Sequence, residues 1–256
     1  MLTLTVAGEP LIAYLLASVR IAAWLVLVPP FSSRAVPAMA KAALSLGLAF
    51  AAVPVLAEGT MPTGTAQLAF SVLTQVLVGA AMGFVTYVIF AAISAAGSLL
   101  DIFGGFALAQ GFDPLSMNPN TVLGKFHQAL ATALLFVTGA HLLVIGGLLK
   151  TFDLLPVGAS PDLEGMPDVL MRAFGLFFTT AVQIALPLIA VLFVADLALA
   201  LLTKVAPQLN ALNVMFPAKI GLTLLLIGLA FPALPAVVSR LTEWVNEAIM
   251  TLAGGG

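Results

Sequence analysis

The sequence predicts an all-α fold: a polytopic integral membrane protein of long, kinked helices and helical hairpins, with about six apolar spans. Three observations predict it. Of 256 residues, 62% are hydrophobic and 8% charged, where a soluble domain carries about 25% charged residues. Mean hydropathy is +1.18, and no segment is polar enough to form a separate soluble domain. The apolar residues also fall into runs of membrane-crossing length. There is no cysteine, which removes disulfides, Fe–S clusters and thiol chemistry. A net charge of −2 leaves no nucleic-acid footprint. The first basic residue, Arg20, lies within the first apolar run, so no signal peptide is expected.

Residues 11–30 form the first expected span, with Arg20 near its middle, and PPFSSRAVP breaks it. Residues 41–56 form a shorter run, and residues 57–67 a turn holding Glu58. Residues 66–100 follow. As a helix they would reach about 52 Å, against a hydrocarbon core of about 30 Å, so this run must tilt, break or rise out of the bilayer. It contains Gly79-x-x-x-Gly83, a spacing that lets helix backbones approach closely.

Residues 97–120, GSLLDIFGGFALAQGFDPLSMNPN, interrupt the pattern. Glycines, prolines, aspartates and asparagines make the stretch too polar and too easily bent for one lipid-facing helix. It stays rich in Phe103, Phe106, Leu108, Phe112, Leu115 and Met117, so it is not a solvated linker. Irregular backbone at membrane depth is tolerated only where it is buried in protein or lines a cavity. The stretch is therefore expected to fill or gate a hole; the plainer alternative is an amphipathic interfacial turn.

Residues 126–149 read as a clean span between Lys125 and Lys150, and TFDLLPVGASPDLEGMPD as a solvent-exposed loop. Residues 170–202 are again over-long, with a kink expected at Pro187. LLTKVAPQLNALNVMFPAK reads as a cytoplasmic connection presenting Lys204, Pro207, Gln208, Asn210, Asn213 and Lys219; an ordinary helix–helix turn is the alternative. Residues 220–238 form the last span, and residues 239–252 an amphipathic tail. Basic residues favour the first, third and fifth loops, which places these in the cytoplasm and both termini outside.

No catalytic motif is present: no Walker loop, HExxH, GxSxG or glycine fingerprint after a strand. His127 and His141 are fourteen residues apart on one expected helix, about 21 Å along its axis, and cannot share a metal. No enzyme, metal or other cofactor is expected. Arg20 and Asp196 are the deepest charges, and a charge at a span centre costs about 2.5–3.5 kcal/mol on insertion scales. Such a charge marks an ion path or an interhelical ion pair, or it faces a subunit interface or snorkels.

Four segments in order carry a resemblance: RIAAWLVLVPPFSSRAVPAMAKAALSLGLAF, the glycine-rich run ending GFALAQGFDPLSMNP, FVTGAHLLVI, and KVAPQLNALNVMFPAKI. Together they resemble the FliR family, the flagellar branch of the T-subunit family of type III secretion export gates, over nearly the whole chain. The GFDP loop and the GAH segment are closer to the flagellar branch than to its injectisome counterparts. The resemblance implies a non-enzymatic gate subunit in the bacterial inner membrane, at the flagellar basal body. It would assemble with the P and Q subunits (FliP, FliQ) into a conical pore and contact the B and A components (FlhB, FlhA). Unfolded exported proteins would pass in transit, and lipid would contact part of the surface.

The resemblance also implies a P-type portion over residues 1–165 and a Q-type hairpin over residues 166–256. The family's plug would fall on residues 104–120, with Gly104, Gly105, Phe106, Leu108, Gly111, Phe112, Asp113, Pro114, Leu115 and Met117 as its sealing or flexing residues. Some relatives carry phenylalanine where this chain has Leu108 and Gly111. The KVAPQLN loop would lie near the channel entrance. Two other classes stand beside this one. A secondary transporter would need polar groups at mid-bilayer and a repeat between halves, and a pure scaffold would tolerate loop changes that preserve assembly.

Overall fold

The computed structural model describes residues 3–56, 64–106, 121–161, 164–205 and 211–255; the side chains of residues 3–8, 53–56 and 211–214 are outside that description. Every regular element among the described residues is helical: α1 Thr3–Leu27, α2 Ala38–Leu56, α3 Thr65–Phe103, α4 Val122–Val137, α5 Ala140–Leu154, α6 Met166–Val205, α7 Ala211–Ala230, a 3-10 turn Phe231–Ala233 and α8 Leu234–Leu252. Among the described residues four helical stretches are long and apolar enough to cross a membrane: Glu9–Leu27, Thr65–Phe103, Met166–Val205 and Met215–Leu252. The pair α4 and α5 makes a fifth if it counts as one span.

About six spans were expected; the described residues give four, or five with one bent pair. α2 is itself 19 residues long and apolar. The run at 126–149 is not one clean span: α4 and α5 are bent by 75° at their break. Gly139 sits there at φ +74, a left-handed conformation that glycine adopts without a Cβ penalty. His127 and His141 therefore stand on two helices rather than one.

The two over-long runs are continuous helices. α3 has 39 residues and α6 has 40, about 58 and 60 Å long, roughly twice the hydrocarbon thickness. α6 continues through Pro187. Their surroundings differ. Of the most apolar window of α3, 61% of the residues are buried, against 11% for α6. α6 thus presents most of its apolar surface outward and keeps a seam of Ala181, Ala185 and Leu192 inside.

The chain forms two compact units, each drawn from separate parts of the sequence. The first comprises residues 1–89, 136–174 and 239–256. Its centre is the crossing of α1 and α3. A Cβ at Gly79 would overlap the Arg20 carbonyl oxygen, and one at Gly83 would lie 3.0 Å from the Trp24 carbonyl oxygen. The small-residue pair is thus the groove that receives α1. Arg20 is fully buried there. Its Nε donates to Gln75 Oε1 (2.6 Å), its Nη2 donates to the Leu155 carbonyl (2.9 Å), and its guanidinium lies 4.4 Å from the centre of the Phe152 ring. Gln75 Nε2 donates in turn to the Val157 carbonyl (2.8 Å).

The expected solvent-exposed loop after Lys150 is corrected by this network. Thr151 and Phe152 are buried in the last turn of α5, and Leu155 and Val157 are buried just beyond it. The free carbonyls at a helix C-terminus need donors and favour a cation; Arg20 supplies both at the C-cap Leu155, and Gln75 serves the Val157 carbonyl just beyond it. α8 lays Leu241, Val245, Ile249 and Leu252 inward, as its amphipathic pattern predicts.

The second unit comprises residues 90–135 and 175–238. Its core is Ala96, Leu100, Leu123, Ala185 and Ile227, with Leu99, Phe106, Ile184, Leu188 and Ile189 packed against it. These residues bring the end of α3, the start of α4, the middle of α6 and the end of α7 together. α7 begins at Ala211, so residues 211–219, expected in the connecting loop, are helical, with Pro217 inside the helix.

Candidate functional site: the roots of the central segment

The central stretch is more helical at its start than its composition suggests. α3 runs to Phe103, so residues 97–103 continue the helix. Its C-terminal turns carry Ser94, Ser98 and Asp101, spaced to share one helix face. That face receives the start of α4. The Asp101 carboxylate is fully buried and accepts from the Leu123 amide (3.1 and 2.9 Å, one to each oxygen) and from the Gly124 amide (3.2 Å). First-turn amides have no partner within their own helix, and a carboxylate complements the positive end of the helix dipole. Ser98 Oγ and Thr121 Oγ1 are 2.7 Å apart and share a hydrogen bond, and Ser94 Oγ donates to the Gly124 carbonyl (3.2 Å). Buried His127 donates from Nδ1 to the Leu123 carbonyl (2.8 Å). A Cβ at Gly97 would meet the Leu123 carbonyl oxygen and Gly124 Cα, so glycine is what admits α4 at this distance.

The first root of the segment is seated on α7. The Gly104 amide bonds the Leu100 carbonyl (2.7 Å), and a Cβ on Gly104 would lie 2.8 Å from both Cγ2 and Oγ1 of Thr223. Gly105 turns away at φ +86; a Cβ there would lie 3.6 Å from Lys219 Cδ. Phe106 packs on the core of the unit. Lys219 Nζ is in turn 2.8 Å from Asp196 Oδ2 on α6. The structure thus gathers Gly104, Gly105, Phe106, Lys219 and Asp196 in one place.

The other expected site residues are elsewhere. Arg20 belongs to the first compact unit. Lys204 is exposed in the last turn of α6. Asn213 is on α7, its side chain outside the described residues. Leu108, Gly111, Phe112, Asp113, Pro114, Leu115, Met117, Pro207, Gln208 and Asn210 lie outside the described residues. Among the described residues no group of three or more His, Asp or Glu side chains could hold a metal ion. What the site offers chemically is hydrogen bonding and charge pairing at the two ends of one segment.

Sequence reasoning singled out none of Ser94, Ser98, Asp101, Thr121 or Gln75. The available signal was the spacing Ser94-x-x-x-Ser98-x-x-Asp101 followed by Thr121 ahead of an apolar run. That is the pattern of a polar helix face and a helix start.

The pair on α6 and α7 makes a direct prediction. Lys219→Met leaves the Asp196 carboxylate in an apolar helix without its cation. Its cost is bounded by about 2.5–3.5 kcal/mol for a charge at a span centre, reduced because the Asp196 side chain is 30% exposed. The double variant Lys219→Met, Asp196→Asn should therefore recover more folded protein in detergent than Lys219→Met alone, as gel filtration would show.

Comparison with known proteins places this geometry in context. Residues 11–244 match the family described as bacterial export proteins, family 1. The chain is 29% identical over 246 residues to the flagellar biosynthetic protein FliR of Bacillus subtilis, covering 94% of each chain. It is 33% identical over 231 residues to the FliR of Pectobacterium carotovorum, covering 90% of this chain and 88% of that one. The secretion system apparatus protein SsaT of Salmonella typhimurium is 27% identical over 159 residues, 62% of this chain and 61% of that one.

Proposed function

The chain belongs to family 1 of the bacterial export proteins, and on that premise we propose that it is a non-enzymatic subunit of the flagellar type III protein export gate. One observation carries the proposal: likeness to flagellar biosynthetic proteins extends over nearly the full length of both chains. The flagellar assignment over a dedicated secretion system is supported by coverage, 94% and 90% of this chain against 62% for the secretion-system relative. The subunit sits in the bacterial inner membrane at the flagellar basal body. It assembles with the P and Q subunits (FliP, FliQ), meets the B and A components (FlhB, FlhA), and passes unfolded proteins through the shared channel.

Helices of about 60 Å support an assembly that projects beyond the lipid, and the outward apolar surface of α6 supports contact with neighbouring subunits or lipid along its length. Residues 1–165 serve as the P-like portion and residues 166–256 as the Q-like hairpin, with the connection from Lys204 to Lys219 near the channel entrance. Residues 104–120 act as the plug at rest: apolar side chains exclude water by packing, and glycines permit displacement when a substrate arrives. The two anchored roots at Asp101 and Gly105 support this, because a seal must return to one place after each displacement.

Mild-detergent purification of the tagged chain, co-expressed with its genomic neighbours and followed by mass spectrometry, tests the proposal. A stable complex with small hydrophobic P- and Q-type subunits is expected. Recovery of a lone, monodisperse protein that binds a small solute would overturn it in favour of a transporter.

A further inference from the structure

We propose that Arg20 and Trp24 form a buried binding site for a small monovalent anion of the halide class, within the first compact unit. The inference does not depend on the export-gate reading. Both side chains are fully buried. They stand four residues apart on α1, a spacing that puts them on one helix face. Among the described residues Arg20 Nη1 and Trp24 Nε1 have no hydrogen-bond partner, and both atoms are shielded from solvent. Buried polar atoms are as a rule hydrogen-bonded, and a pair left over calls for an explanation. A guanidinium N–H and an indole N–H can only donate, so neither atom can serve the other. What serves both is an acceptor.

The charge on Arg20 narrows the class of that acceptor. Its Nε and Nη2 donate to the Gln75 side chain and the Leu155 carbonyl, both uncharged, and its guanidinium lies on the Phe152 ring. Among the described residues no carboxylate is paired with it; the ion pair there is Lys219–Asp196, in the second unit. Buried charges are ordinarily paired, and a guanidinium does not escape by losing its proton. A small anion supplies both missing hydrogen bonds and the missing negative charge together, whereas water supplies only an acceptor. Its size is limited by α3. A Cβ at Gly79 would overlap the Arg20 carbonyl oxygen, and one at Gly83 would lie 3.0 Å from the Trp24 carbonyl oxygen. Phe31 adds a wall, its ring 6.4 Å from that of Trp24. Packing this close suits a spherical halide and excludes a bulky organic anion.

The chain has two tryptophans, and the other, Trp244, is half-buried on α8. In the full-length Trp244→Phe variant, purified in mild detergent, Trp24 is therefore the sole indole reporter. Bromide is the probe, because a heavy halide touching an indole quenches its fluorescence. As bromide replaces gluconate at constant ionic strength, quenching is expected to saturate, and chloride should reverse it by competition. In the wild-type chain the thermal unfolding midpoint should rise by about 5–10 °C when chloride reaches roughly a hundredfold its half-saturating concentration. Trp24→Phe removes one of the two donors and should lose most of that rise. Quenching that grows linearly with bromide, with equal midpoints in chloride and gluconate, would overturn the proposal and leave water or a group of the chain as the acceptor. A chloride-dependent rise undiminished in Trp24→Phe would place the ion elsewhere and overturn this site too. The quenching measurement leaves Arg20 and Trp24 intact, so it decides the matter even if Trp24→Phe does not fold.

Discussion

Replacing Arg20 by methionine is expected to destabilise the first compact unit by about 2–4 kcal/mol, because removing the guanidinium leaves the Leu155 carbonyl and Gln75 Oε1 buried without donors, at about 1–3 kcal/mol each. Relief of a buried charge offsets part of that loss. Arg20→Lys should rescue little, since one ammonium cannot reproduce a planar fork that reaches a side chain and a helix end while stacking on Phe152. Thermal unfolding of the detergent-purified chain reads both effects. A combined Arg20→Met, Gln75→Leu variant should be less damaged than the sum of its single variants, because the partners fail together. Strict additivity would show that the network is not the unit of stability.

Gly79→Val should be as damaging or worse. Even the Cβ would overlap the Arg20 carbonyl oxygen, and Ala23 Cβ lies 3.0 Å away. Both obstacles belong to α1 itself rather than to a flexible side-chain tip, so α1 and α3 must separate. Overpacking of this kind costs about 1–3 kcal/mol and occasionally more, and here it also pulls Arg20 from Gln75. Gly83→Val should be milder, with nearest atoms at 3.0–3.2 Å, and Gly146→Ala, which meets nothing within 4 Å, should be neutral. The order Gly79, Gly83, Gly146 in recovered monodisperse protein is the expected result. Equal tolerance at Gly79 and Gly146 would contradict the crossing.

Composition and run length made the all-α membrane fold legible, including the over-long α3 and α6. The Gly79–Gly83 groove was visible as a spacing, though its occupant was not, because α1 is distant in sequence. What escaped sequence reading depends on tertiary partners. Arg20 and Asp196 were both visible as buried charges. That one would reach the end of α5 and the other Lys219 required knowing which helices pack together. The break at Gly139 escaped because Thr138–Gly139 is only a two-residue interruption with no charge in an otherwise apolar run. The loop expected after Lys150 misled for the opposite reason: its acids and prolines hid Phe152, Leu155 and Val157, whose burial is fixed by α1 and α3. Asp101 went unnamed among the polar residues of the central stretch, because its partners are amides of α4, more than twenty residues on.

The most direct test of the account is the resting permeability of an assembled gate lacking residues 104–117. The Asp101 bonds to the Leu123 and Gly124 amides lie outside the deleted stretch, so the complex is expected to assemble. Reconstituted into vesicles, that gate is expected to pass small ions and dyes at least tenfold faster than the intact one. An assembled, loop-deleted gate as tight as wild type would contradict the central claim that this segment closes the channel.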